Sequence, residues 1–129
     1  MLFTNIDVLR ADGTLLRGRT VAVRDGRIAY IGKSVPTADW GEVVAGKDRL
    51  LMPGFYNAHT HAAMTLLRGY GEDLPLDRWL RERIFPAEAG MTGDDVYWGT
   101  LLGIAEMLST GTVSFSDMYF FPDRVASTK

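Results

Sequence analysis

The strongest constraint on this chain is a change of hydrophobic period at Pro53-Gly54. Before that point, short apolar runs alternate with turn residues, and residues 3–9, 20–24, 27–31, 42–45 and 50–52 read as β-strands. After it the period lengthens from two towards 3.6, which is the signature of helices packing on a sheet. One uniform layer cannot serve both patterns, so the sequence predicts two architectures with a boundary near residue 51.

In the first half, Ala11-Asp12-Gly13-Thr14 and Arg24-Asp25-Gly26-Arg27 each place Asp-Gly between alternating runs, the strongest local hairpin signal. A small antiparallel sheet is expected. Along Arg27-Ile28-Ala29-Tyr30-Ile31-Gly32, apolar side chains fall on both faces, and a strand covered on both sides suits a sandwich. In the second half, residues 75–85 predict a helix that ends before Pro86, because proline lacks the amide a helix interior requires. Thr92-Gly93-Asp94-Asp95 resembles a capping box, with Asp in place of Glu. The helix it opens carries Val96, Tyr97, Leu101, Leu102, Ile104, Ala105 and Leu108, and Gly111 provides a left-handed exit. Residues 112–121 read as a further strand, giving a βαβ unit.

Composition removes several functional classes. Lys plus Arg number 14 against 16 for Asp plus Glu, a net charge of -2, so no broad basic surface is available for nucleic acid or anionic lipid. No apolar run reaches membrane-spanning length, which makes the cytoplasm the default location. The chain has no cysteine, so a transition metal here is held by imidazole and carboxylate alone.

That restriction directs attention to the only two histidines, His59 and His61, two residues apart. At a strand end such residues point to the same side with Cα atoms about 7 Å apart, so two imidazoles can converge on one ion. Imidazole suits zinc, iron, nickel or copper rather than magnesium or calcium. By spacing alone, two polar residues in a turn after an apolar strand fit equally well. The run of residues 50–58 leading into the pair favours the metal reading, because barrel enzymes gather their functional groups at the C-terminal ends of strands.

The segments carrying these features resemble the amidohydrolase superfamily, in particular its branch of methylthioadenosine/S-adenosylhomocysteine deaminases, chlorohydrolases and guanine deaminases. Residues 24–32 look like that family's N-terminal sheet signature, and Pro53-Gly54-Phe55-Tyr56-Asn57-Ala58-His59-Thr60-His61 looks like its first barrel strand. Residues 61–69, 74–80 and 85–88 look like the adenosine-type deaminase branch. The resemblance implies an α/β plus β chain. Residues 1–50 would form part of a small composite N-terminal β-sandwich, and 51–129 the first βα units of a metal-dependent hydrolase (β/α)8 barrel, incomplete in this chain.

The resemblance also implies that His59 and His61 bind one divalent transition metal, zinc first and iron second. It makes Trp79 a wall of the substrate pocket and Glu88 the acid that binds ribose hydroxyls. Without it, Trp79 reads more simply as core on an amphipathic helix, Glu88 as a solvated helix-end charge and Asp117 as a cap for a following helix. The implied reaction is hydrolytic deamination of a small molecule: water attacks a ring carbon bearing an amino group and ammonia leaves, a C–N hydrolysis outside peptide bonds. The bound metal lowers the water's pKa. No catalytic acid/base is expected within these residues.

A closed barrel needs about 250 residues, so the chain is expected to be the N-terminal part of a longer enzyme and inactive by itself. Self-association through exposed strand edges is a further expectation. The rivals are a chlorohydrolase or a guanine- or cytosine-type deaminase acting on a substituted ring, and a small β-sandwich interaction module with an incidental histidine pair.

Overall fold

Asp25 and Gly26 both take left-handed backbone, at φ 52° and 69°, and turn one strand tightly onto the next. In the computed structural model, which describes residues 1–128, this turn joins β2 (Leu15–Arg24) to β3 (Arg27–Gly32). The other Asp-Gly turn joins β1 (Leu2–Leu9) to β2, with the Thr14 amide donating to Asp12 Oδ1 at 2.9 Å. The chain divides into two compact units, Met1–Pro53 and Gly54–Lys129.

The first unit is one five-stranded sheet in the order β3-β2-β1-β4, with β5 (Leu50–Leu51) also pairing with β1. Its core is Ile6, Val8 and Val21, packed against Phe3, Leu16, Val23 and Leu51. Two expectations change. β2 begins at Leu15 rather than residue 20, because Gly18 takes φ 57° and donates its amide to Asp7 Oδ1 at 2.9 Å, so a strand passes where a break was read. The sheet is mixed rather than antiparallel, since β4 (Val43–Ala45) and β5 both run parallel to β1. No tight turn links them to β1, so hairpin rules carry no information about their direction. The described residues of this unit form a single sheet, and Ile28 and Ile31 of β3 are 57% and 40% exposed. Strict alternation along β3 is also broken by a register shift opposite Ala22 and Val23.

The second unit pairs β6 (Phe55–Thr60) in parallel with β7 (Thr112–Asp117), and the helices lie between them in sequence. These are a 3₁₀ segment (Ala62–Leu67), α1 (Leu76–Trp79), a π-helical stretch (Leu80–Ile84), α2 (Phe85–Ala89) and α3 (Gly93–Ser109). α4 (Pro122–Ala126) follows β7. The helix expected to stop before Pro86 continues through it. The Phe85 amide bonds to Leu80 O, five residues back, so the missing proline amide falls where the pattern changes between π and α.

α3 starts as read, with Thr92 Oγ1 accepting from the Asp95 amide and Asp95 Oδ2 accepting from the Thr92 amide at 2.7 Å. It lies close on the 3₁₀ segment because Gly99 and Gly103 face it; a Cβ on Gly99 would come within 2.6 Å of Ala63 O. Ala62, Ala63, Ile84, Val96 and Thr100 are buried in this unit. β7 ends at Asp117 rather than continuing to residue 121; its last ladder bond to β6 is the Met118 amide donating to Thr60 O at 3.1 Å. Among the described residues no helix is long and apolar enough to cross a membrane.

Candidate metal centre

The parallel pairing of β6 and β7 brings residues some sixty positions apart to one strand end. His59 lies in β6, its amide donating to Asn57 Oδ1 at 3.2 Å; His61 follows the strand and opens the 3₁₀ segment. The two Nε2 atoms face each other at 3.3 Å, with the rings nearly perpendicular at 83°. His61 Nδ1 lies 2.7 Å from Met118 O. A carbonyl only accepts, so His61 Nδ1 carries the proton, and in the neutral ring the Nε2 lone pair is left for another partner.

The residues fit a metal. Two nitrogens bound to a tetrahedral ion at about 2.0–2.1 Å stand about 3.3–3.4 Å apart, which matches the observed separation. The fit covers half a site: catalytic zinc takes three protein ligands, and among the described residues no group of three histidines or carboxylates is placed to hold an ion.

Asp117 fixes the same strand end. Its Oδ1 accepts the Ala62 amide at 3.0 Å, while Oδ2 is buried without a hydrogen-bond partner. The capping role considered for it does not occur, because α4 is preceded by Phe121 with no side-chain cap. Together, the Met118 carbonyl and the Asp117 carboxylate hold His61 and Ala62 from the neighbouring strand. Sequence reasoning missed the carbonyl entirely, because a backbone acceptor leaves no residue-type signal.

A cavity of ≈ 460 Å³ opens beside the pair, with His61, Trp79, Glu88, Met118, Tyr119 and Phe120 among the residues lining it. His59 is not among them. Trp79 is half-buried rather than core, and its Nε1 donates to Tyr70 O at 3.0 Å, which fixes the indole in the wall. Glu88 is also half-buried. It lies in the short helix α2, and among the described residues no Lys or Arg pairs with it. Burial raises the Tyr119 hydroxyl's pKa above the usual phenol value, and hydrogen bonding and charge from Glu88, then the charge of Asp117, raise it further.

Comparison with known proteins gives this geometry a context. The model of the Amidohydrolase family matches residues 50–127. A 5-methylthioadenosine/S-adenosylhomocysteine deaminase of Dictyoglomus turgidum is 44% identical over 98% of this chain and 29% of its own length. A 5'-deoxyadenosine deaminase of Methanothermobacter thermautotrophicus is 48% identical, with 98% and 29% covered. The chain thus spans under a third of the length of these curated relatives. Among solved structures, a zinc-complexed atrazine chlorohydrolase from Arthrobacter aurescens superposes with a TM-score of 0.81 at 18% identity, covering 98% of this chain and 32% of that one. Guanine deaminase from C. acetobutylicum, with guanine in its active site, gives 0.72 at 21% over the same shares. At these identities the structural likeness speaks for the fold alone.

Proposed function

The chain belongs to the amidohydrolase family, and on that premise we propose that it is part of a hydrolase that deaminates adenosine-type nucleosides, with 5'-methylthioadenosine and S-adenosylhomocysteine as the substrate class. Residues 1–50 would contribute to a composite β-sandwich, and 51–129 the first two strands of a (β/α)8 barrel with their helices. The reading includes a small-molecule substrate and a cytoplasmic setting, with self-association through open strand edges. The remaining metal ligands and the general acid/base would come from parts of the full-length protein beyond these residues.

The observation that carries the reading is the pair of Nε2 atoms 3.3 Å apart at the side of a cavity that also takes in Trp79 and Glu88. In this reading His59 and His61 hold one divalent ion, zinc being favoured, through Nε2. The ion supplies a lowered water pKa when bound. The chain's own residues do the rest of what falls to this segment. Met118 O and Asp117 fix the approach of His61, Trp79 offers an apolar wall to a purine ring, and Glu88 accepts hydrogen bonds from the ribose hydroxyls. The net reaction replaces the ring C–NH2 bond by C=O, with water consumed and ammonia released.

The test is ammonia release by the full-length protein on a substrate panel, with the Glu88→Gln variant alongside. Glu88→Gln should lower kcat/KM for methylthioadenosine by about tenfold or more, since a charged hydrogen-bond acceptor is lost. Unchanged kinetics would show that Glu88 does not hold the ribose. Turnover confined to triazine- or guanine-like rings would favour the rival substrate class instead.

A further inference from the structure

The two imidazoles at the end of β6 are held by different means. His61 is fixed through its ring, with Nδ1 donating to Met118 O at 2.7 Å. Among the described residues the His59 ring bonds only to His61, and His59 is held through its backbone: the amide donates to Asn57 Oδ1, two residues back, at 3.2 Å. That contact lies in an irregular stretch of the strand. Asn57 pairs with Phe115 and Thr60 with Asp117, so three steps along β6 match two along β7, and Ala58 and His59 arch between the pinned ends. A bulge of this kind bends its strand, leaves backbone groups out of the ladder and re-aims the side chains it carries.

In a regular strand, side chains two residues apart leave the sheet in parallel, from Cα atoms about 7 Å apart. The rings of His59 and His61 instead stand at 83° to each other, with their Nε2 atoms 3.3 Å apart. Asn57 has the chemistry to hold the bend behind them. A backbone N–H only donates, so the side-chain oxygen of Asn57 faces His59 and its NH2 group turns to α3, where Nδ2 lies 4.0 Å from Met107 Sδ. An asparagine oxygen closing on the amide two residues ahead stands in for the backbone acceptor of a tight turn.

We propose that Asn57 is the positioning residue for His59: its side-chain oxygen holds the bulge in β6 that turns His59 Nε2 towards His61 Nε2. This deepens the proposed function and rests on its assignment of the two histidines to one metal ion. His61 is then aimed by the neighbouring strand and His59 by its own, and the two supports meet at the facing nitrogens.

The experiment uses the full-length protein and two readings: zinc affinity by competition with a chelator, and the visible absorption of the cobalt-substituted protein, which reports ligand geometry. Asn57→Leu fills the space without an acceptor. It should weaken zinc binding about tenfold to hundredfold, the usual cost of losing a group that orients a metal ligand, and shift the cobalt bands. Asn57→Asp keeps an oxygen facing the amide and should restore both zinc binding and the unmodified spectrum. Met107→Leu, which alters only the packing on the far side of Asn57, should leave both readings in place. If the leucine variant does not fold, Asn57→Ala against Asn57→Asp gives the same comparison.

Unaltered zinc affinity and cobalt spectrum in Asn57→Leu would overturn the proposal. So would an aspartate variant as weak as the leucine one, or a Met107→Leu variant that reproduces the loss, since either would make Asn57 a packing residue. The metal assignment fails separately if His59→Ala binds zinc as tightly as the unmodified protein.

Discussion

The two units of this chain are organised over different distances. In the first, the β1–β2 and β2–β3 pairings close through Asp-Gly turns, and only the short β4 and β5 reach β1 from remote positions. In the second, the pairs that build the site are remote: Thr65 bonds to Gly99, Ala62 to Asp117 and His61 to Met118, with separations of 34, 55 and 57 residues. The first unit contains neither histidine, whereas the remote pairings of the second converge on the strand end that carries both. Parallel strands require a long crossover, and that crossover brings residues of independent sequence context together.

This contrast predicts unequal sensitivity to added bulk. Gly99→Val forces a side chain against Ala63 O and should destabilise the second unit by about 3 kcal/mol, read from urea unfolding of the full-length protein. Gly26→Ala has open space around its Cβ and only the left-handed backbone against it, so about 1 kcal/mol is expected. Equal losses would erase the distinction. Next in size is Asp117→Ala, which strands the Ala62 amide and should cost about 2 kcal/mol, whereas Asp117→Asn keeps an acceptor and should cost less than half of that. If Asn is as damaging as Ala, the carboxylate's charge matters more than its hydrogen bond.

Much of the fold could be read because its signals are local. The Asp-Gly turns, the Thr92–Asp95 box and the left-handed Gly111 each depend on a few adjacent residues. The parallel direction of β4 and β5, the π-helical passage into Pro86 and the early end of β7 escaped, because each is decided by a partner elsewhere. At the site, the histidine spacing was visible, and the family resemblance singled out Trp79 and Glu88. The Met118 carbonyl acts from backbone just past the end of β7, whose path no sequence pattern announces.

The smallest effects belong to the local α3 cap. Thr92→Ala should cost about 1 kcal/mol. Hydrogen bonds from the Thr92 side chain, then its backbone, hold the Asp95 carboxyl below its ordinary value of 3.8. A folded pKa below the unfolded one stabilises above the unfolded pKa and fades as pH falls through the folded value. The stability gap between the unmodified protein and Asp95→Asn should therefore be full at pH 6 and shrink below about pH 4. A gap independent of pH would detach that carboxylate from the cap.

The central claim is that the facing Nε2 atoms of His59 and His61 are half of a metal site. Anomalous diffraction from crystals of the full-length protein, collected at the zinc edge, measures it directly. The account predicts one ion per chain within about 2.1 Å of both Nε2 atoms, with His61 Nδ1 still donating to Met118 O. An ion bound elsewhere, or metal-free protein whose deaminase activity does not depend on added metal, would contradict it.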